Sequence, residues 1–287
     1  MSVNPKHLPR QENMQSIIPK YMATKEIKDF VLSGKRMLPS GCAMMSFTTA
    51  DGSSLPQIYP GQFVEVEAST KEPMSYCTLR RPISVCDVHY GSELILFIKP
   101  LGKGTRELVD LPVGAVVNII LPLGHGFTTD VKDGENVLLT GGGVGCAPLV
   151  MLCKELKSRG ARVTVAIGGR SANDVKGIDG LYESADCVAV ATDDGSYGHK
   201  GIVTSLPVYN ENFDRIYCCG PTPMMRTVGK MAAELGAWCE LSLENHMACG
   251  LGACLCCVEK TDDSGNVCVC TEGPVFNINR LKSWLQN

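Results

Sequence analysis

The sequence predicts an antiparallel β-barrel followed by an α/β unit with a parallel sheet, and then a small cysteine-rich unit. Three observations carry this expectation. Up to residue 128, short apolar runs are each closed by Gly or Pro, as in a small barrel. From 129 to 240, strand-like runs alternate with helical stretches, the pattern of a parallel sheet with crossovers. Beyond that, six of the chain's 15 cysteines fall within 22 residues, from Cys249 to Cys270. The expected boundaries are 22–128, 129–240 and 241–287.

Each element has a local reason. Gln62 to Glu67 alternates at period two after the turn Tyr59-Pro-Gly61. Glu93 to Ile98 and Ala115 to Leu121 are further strand-like runs. Asn136 to Thr140 reads as a buried strand running straight into Gly141-Gly-Gly-Val-Gly145. A helix is expected from about Ala147 to Arg159, with Leu149, Leu152, Cys153 and Leu156 on one face and Gly160 as its stop. Arg162 to Ile167, Cys187 to Ala191 and Arg215 to Cys219 complete the strands of the second unit.

Composition excludes several classes. With 44% hydrophobic and 20% charged residues, the chain can bury a core and is not disordered. A net charge of −3 argues against binding nucleic acid by phosphate neutralisation. Met1 to Lys20 is polar, with Pro5, Pro9 and Pro19 and no apolar signal core, and no 18-residue apolar run could span a membrane. With an odd number of cysteines as well, a reducing cytoplasm is the expected location, with thiols free or metal-bound.

Four motifs carry chemistry. The Gly141–Gly145 turn, between strand and helix, would let backbone amides approach a pyrophosphate at a helix N-terminus. It is an incomplete G-x-G-x-x-G, since Cys146 holds the sixth position, and Gly168-Gly-Arg-Ser171 closes the next strand where an acid would be usual. Alone, it is equally a turn that binds nothing. Arg80-Arg-Pro-Ile-Ser-Val85 offers two arginines suited to clamping a diphosphate, and the loop Gly102-Lys-Gly-Thr105 offers backbone amides. Together on one barrel they favour a flavin dinucleotide, while each alone is also a solvated basic turn.

Cys249-Gly-Leu-Gly-Ala-Cys254-Leu-Cys-Cys257 has the spacing C-x4-C-x2-C of a plant-type [2Fe–2S] site, with a fourth thiolate from Cys268 or Cys270. Gly250 and Gly252 suit a loop that turns tightly and aims amides at sulfurs. The rival is a structural zinc site in a non-redox interaction protein, although zinc usually takes two C-x-x-C pairs. Finally, Tyr217-Cys-Cys-Gly-Pro-Thr-Pro-Met224 ends a strand where open sheets bind dinucleotides. Asp193 and Asp194, ending another strand, are candidate ribose partners or a solvated acidic turn, and Asp194 is the one placed in the cofactor set. The five histidines show no ligand spacing, and no Ser-His-Asp or paired-carboxylate arrangement stands out.

In order, Arg81-Pro-Ile-Ser84, Gly104-Thr105, Pro122-Leu-Gly124 with Gly126-Phe127, Gly141-Gly-Gly-Val-Gly145, Cys219-Gly-Pro-Thr-Pro-Met224, Met247 to Cys254 and Val269-Cys270-Thr-Glu-Gly-Pro-Val-Phe276 form one series. It resembles the ferredoxin-reductase-like electron-transfer subunit of bacterial dihydroorotate dehydrogenase type B, over about residues 25 to 276. The resemblance implies an antiparallel flavin-binding barrel, a Rossmann-like nucleotide unit and a C-terminal [2Fe–2S] unit. It implies FAD on Arg81, Pro82, Ile83, Ser84, Ile98, Lys99, Gly104 and Thr105. NAD(H) would lie at Gly141, Gly142, Gly143, Gly145 and Gly220, with Ser84 and Cys219 as the catalytic positions beside the reacting rings. The cluster would be held by Cys249, Cys254, Cys257 and Cys270, which selects Cys270 over Cys268.

By the same resemblance, NADH exchanges a hydride with FAD, and the cluster passes single electrons to a partner. That partner is an FMN-containing catalytic subunit that oxidises dihydroorotate in pyrimidine (UMP) biosynthesis, in a heterotetramer of two copies of each chain. Electron-transfer subunits of a sulfhydrogenase or of an NADH-dependent ferredoxin:NADP transhydrogenase share the layout and are the alternative. Three departures stand out. His125 replaces a usual Asn, His246 replaces a frequent Arg, and the first 20 residues exceed the family's usual start. Arg170, after the second strand of the nucleotide unit, is a residue that would suit a 2′-phosphate and hence NADPH.

Overall fold

The computed structural model describes residues 24–67, 79–89 and 91–286; the N-terminal 20 residues and Cys77 lie outside them. Strands β1 (Glu26–Met37), β2 (Ala43–Thr49), β3 (Phe63–Val66), β4 (Arg81–His89), β5 (Glu93–Ile98) and β6 (Val116–Leu123) close a barrel in the order β1-β2-β5-β4-β3-β6. Every pair in it is antiparallel. The alternation is plainest in β2, where Ala43, Met45, Phe47 and Thr49 are buried while the residues between them are half-buried. Gly102–Thr105, read from sequence as a loop, is instead the start of helix α1 (Lys103–Asp110), which drives Leu108 and Val109 into the barrel core. Thr105 Oγ1 accepts the Leu101 and Gly102 N–H groups at 3.0 and 3.1 Å, fixing that start.

The second unit runs through β7 (Asn136–Gly142), a 3-10 turn at Gly143–Cys146, α2 (Ala147–Ser158), β8 (Arg162–Gly169), α3 (Ala172–Val175), α4 (Asp179–Ser184), β9 (Cys187–Thr192), β10 (His199–Lys200), β11 (Arg215–Cys219), α5 (Thr222–Leu235) and β12 (Trp238–Ser242). Helix α2 ends where Gly160 takes a left-handed φ of +87°. The cysteine-rich segment adds a hairpin, β13 (Val258–Thr261) with β14 (Gly265–Cys268), then α6 (Val269–Glu272), β15 (Val275–Asn277) and α7 (Lys282–Gln286). The large sheet has the order β10-β9-β8-β7-β11-β12-β15. It is parallel except for β15, which runs antiparallel to β12.

This topology differs from three independent units. The boundary drawn at residue 240 cuts through β12, and the cysteine segment is an excursion between two adjacent strands of the nucleotide sheet. The sheet order reverses at β7, between β8 and β11, which opens a crevice beyond the carboxyl ends of these strands. Barrel and sheet are tied by Lys154 of α2, which donates to the buried Asp87 of β4. They are tied again by Tyr217 Oη, which donates to Thr128 O at 2.6 Å.

Glu240 of β12 makes a further tie. Its carboxylate accepts the Thr128 N–H at 2.9 Å and the Thr128 hydroxyl at 2.7 Å. Burial nevertheless raises its pKa to about 7, against the opposing pull of those bonds and of Arg215. The folded chain thus keeps a proton that the unfolded chain has released. This contribution is full below the ordinary glutamate pKa and is lost as pH rises through about 7. Its size is on the order of 3 kcal/mol. Glu240→Gln should flatten the fall in urea midpoint between about pH 5 and pH 8 by a comparable amount. An undiminished slope in that variant would show that Glu240 is not its source.

Candidate redox site

Antiparallel pairing sets Phe63 of β3 opposite Ser84 of β4, and β4 delivers Pro82, Ile83 and Ser84 to the wall of a cleft of about 980 Å³. Along β5 and just past its end the pleat alternates: Phe97 and Lys99 line the cleft, while Ile98 is fully buried in the barrel core. The side chain of Ile98, expected from sequence among the flavin contacts, therefore lies in the barrel core, and that of Phe97 reaches the cleft. The other cleft walls come from Val144, Gly145 and Cys219 of the nucleotide unit and from Ser242 to Asn245 and Met247 of the cysteine segment. All three parts of the chain meet around one space.

The two arginines have separated. Arg80 donates to Asn118 O and Oδ1 at 2.8 and 2.6 Å, holding β6 rather than offering itself to a phosphate. Arg81 crosses the first turn of α1, where a Cβ on Gly104 would stand 2.3 Å from its Nε. Gly104 is thus what lets the guanidinium lie beside the helix N-terminus and Thr105, a cradle suited to a pyrophosphate. The residues fit a flavin dinucleotide.

A second cleft, about 990 Å³, opens on the sheet crevice, and Lys99 lines both. Gly142, Gly143, Arg170 and Asp193 line it; Asp194 does not. Asp194 accepts from the Ser196 N–H and hydroxyl at 2.9 and 2.6 Å in an exposed turn, so of the acidic pair it is Asp193 that faces the cleft. Gly141 serves packing, since a Cβ there would meet Cys146 Sγ at 2.5 Å. Gly145 and Gly220 permit two loops to touch: a Cβ on Gly145 would lie 2.4 Å from Cys219 O, and one on Gly220 3.0 Å from Gly142 N. Cys219 is only 2% exposed, and burial pushes its thiol well above the usual range, so it borders the flavin cleft as a neutral S–H.

The cysteine loop turns tightly, with left-handed φ at Gly250 (+65°), Gly252 (+80°) and the non-glycine Leu255 (+58°). Its amides aim at sulfurs. Leu251 and Cys254 N–H point to Cys249 Sγ at 3.3 and 3.4 Å, Gly252 N–H to Cys270 Sγ at 3.1 Å, and Cys270 N–H to Cys257 Sγ at 3.4 Å. Burial opposes ionisation of Cys249, but the backbone N–H donors of Leu251, Cys254 and Ala253, with the Cys254 thiol, outweigh it and bring its pKa to about 6. Burial first, and then the Cys257 thiol, push Cys270 up to about 12. Cys268 donates its thiol to Gly252 O at 3.8 Å. The amide of one residue thus faces Cys270 and its carbonyl faces Cys268.

Cys249 meets Cys254, and Cys257 meets both Cys268 and Cys270. Among the described residues, no three His, Cys, Asp or Glu side chains gather tightly enough to grip a single ion. Amides converging on sulfurs suit a thiolate-held cluster. Of the two unusual histidines, His125 donates its N–H to Gly273 O at 2.6 Å with Nε2 buried and unpartnered, and His246 lines a small cavity beside Cys256.

Residues 244–282 match the family described as the iron-sulfur cluster binding domain of dihydroorotate dehydrogenase B. The chain is 39% identical over 221 residues to the dihydroorotate dehydrogenase B (NAD(+)) electron transfer subunit of Clostridium perfringens, covering 77% of this chain and 86% of that one. The subunit of the same name from Shouchella clausii is likewise 39% identical, with the same coverage. This chain belongs to the family of dihydroorotate dehydrogenase B electron transfer subunits. It is accordingly a component of an NAD-linked oxidoreductase that works with a catalytic subunit. Among solved structures, an NADH-dependent reduced ferredoxin-NADP oxidoreductase is 28% identical, with a TM-score of 0.75, over 90% of this chain and 93% of that one. The FAD/NAD binding domain of a Vibrio cholerae nitric oxide dioxygenase shares the fold, at 23% identity and a TM-score of 0.60, over 73% and 94% of the two chains. Among the described residues, no helix is long and apolar enough to cross a membrane.

Proposed function

We propose that the chain carries electrons between NAD(H) and an FMN-containing dihydroorotate dehydrogenase catalytic subunit in the cytoplasm, through FAD and a [2Fe–2S] centre. The observation that carries this reading is the single cleft where flavin strand β4, the nucleotide turns at Gly145 and Cys219, and the cysteine segment meet. Bound FAD exchanges electrons in pairs with the nicotinamide, and the iron–sulfur centre carries them singly.

The chain's own residues supply position and environment. Arg81, with Gly104 and Thr105, would hold the FAD pyrophosphate, and Pro82, Ile83, Ser84, Phe97 and Lys99 would wall the cleft that takes the rest of the flavin. Ser84 and the neutral Cys219 would face the reacting groups from the cleft wall, where an ionised thiol would repel incoming electrons. Gly142, Gly143 and Asp193 receive the dinucleotide, with Arg170 at its adenosine end. Cys249, Cys254, Cys257 and Cys270 hold the cluster, and the amides of Leu251, Gly252 and Cys254 stabilise its sulfurs. The assembly is a heterotetramer of two copies of each chain.

The test is co-expression with an FMN-dependent dihydroorotate dehydrogenase subunit, followed by size exclusion and assay. Co-elution and dihydroorotate-dependent reduction of NAD⁺ are expected. Separate elution without coupling, from a chain whose own flavin and cluster accept electrons from NADH, would reject the partner. Coupling to ferredoxin instead would favour the transhydrogenase alternative.

A further inference from the structure

Glu65 of β3 is fully buried, and neither carboxylate oxygen has a hydrogen-bond partner among the described residues. Burying an unpaired carboxyl is costly, and native structures rarely keep one without a compensating role. Two nearby guanidinium groups do not claim it. Arg80 turns to Asn118, and Arg81 donates to Leu79 O and Arg80 O at 2.8 and 3.1 Å.

What Glu65 does meet is the cysteine loop. A Cβ on Gly250 would stand 2.7 Å from Glu65 Cγ and 3.0 Å from its Oε1, so the loop passes against this carboxyl only because residue 250 has no side chain. On its other side, Glu65 is paired in register with Pro82 of the flavin strand. The carboxyl is therefore carried by the strand beside the one expected to hold FAD and meets the loop that begins at Cys249.

We propose that Glu65 is an electrostatic positioning residue that lowers the electron affinity of the iron–sulfur centre. Reduction adds one electron to a centre already surrounded by four thiolates. A carboxylate fixed nearby, away from water, opposes that added charge far more strongly than an exposed one. The electron is then held less tightly and passes on more readily. The inference rests on the assignment of Cys249, Cys254, Cys257 and Cys270 as ligands.

The experiment is an anaerobic dye-mediated redox titration of the cluster-loaded protein, followed by EPR of the reduced centre. It is run at about pH 8.5, above the value near 7 to which burial raises this carboxyl. Glu65→Gln is expected to retain its iron and to favour reduction about tenfold, a positive midpoint shift of about 59 mV. Glu65→Asp, which keeps the charge, should stay nearer the wild-type midpoint. Glu65→Met fills similar space without polar atoms and carries the same expectation if the glutamine variant fails to fold. A loaded Glu65→Gln or Glu65→Met protein with an unshifted midpoint overturns the inference, as does an aspartate variant shifted as far as the glutamine one. Wild-type protein with no [2Fe–2S] signal would overturn the ligand assignment itself, a result distinct from an unshifted midpoint.

Discussion

Cys270→Ser is expected to abolish the visible and EPR signature of the [2Fe–2S] centre and to lower bound iron by roughly tenfold or more, whereas Cys268→Ser keeps both. Two residues apart, the thiols face the amide and the carbonyl of one residue, Gly252. The Gly252 N–H donates to Cys270 Sγ at 3.1 Å, while Gly252 O receives the Cys268 thiol at 3.8 Å. Burial keeps the free Cys270 thiol protonated, but once a metal displaces that proton the amide hydrogen favours its thiolate, whereas a carbonyl oxygen disfavours one at Cys268, so Cys270 is the expected ligand. The serine hydroxyl fits the space but is a far poorer ligand for iron than a thiolate. Iron analysis of both variants, purified without oxygen, decides the matter. A full cluster in the Cys270 variant, with loss in the Cys268 variant, would reverse the assignment.

The second large effect is at Gly145. Gly145→Ala should slow NADH-dependent flavin reduction by about 100-fold while FAD stays bound, because reactivity falls steeply when reacting atoms are displaced by an ångström. The added methyl would meet Cys219 O at 2.4 Å and Gly220 Cα at 2.6 Å, and neither can move aside as a side-chain end could. One of the two loops must therefore shift, and both border the clefts. Gly236→Ala is the control: it lines neither cleft, nothing lies within 4 Å of its Cβ position, and the penalty is the left-handed φ of +65°, about 1–2 kcal/mol. Rapid mixing with NADH separates the two, with dithionite as the check that flavin remains reducible. A Gly145 variant reduced by NADH at the wild-type rate would remove this turn from the nucleotide site.

Much of this was readable from local pattern. Period-two runs, a glycine turn between strand and helix, and C-x4-C-x2-C each depend on residues close in sequence, and the barrel, sheet and loop formed where those signals lay. The misplaced details depend on what lies across space. Ile98 and Phe97 are both apolar, so nothing local says which one faces the cleft; closure of the barrel decides it. Asp193 and Asp194 are adjacent acids, distinguished only when Ser196 captures the second. Arg80 is claimed by Asn118, 38 residues away. Glu65 occupies a polar position in an alternating strand and would be read as solvent-facing, but the cysteine loop covers it. The stretch after Gly102 hid α1 because its glycines mask a helix start that Thr105 secures.

The return of the chain into its own sheet has a consequence for iron supply. Because the cysteine segment leaves from β12 and comes back as β15, the strand that seals β12 is reached only through the loop proposed to hold the cluster. Leu243 N–H donates to Pro274 O at 2.8 Å, and His125 N–H donates to Gly273 O, so the seam is stitched just beyond Cys270. A newly made chain starved of iron would present a loosened border strand and an open row of backbone groups on β12, the feature that invites aggregation and proteolysis.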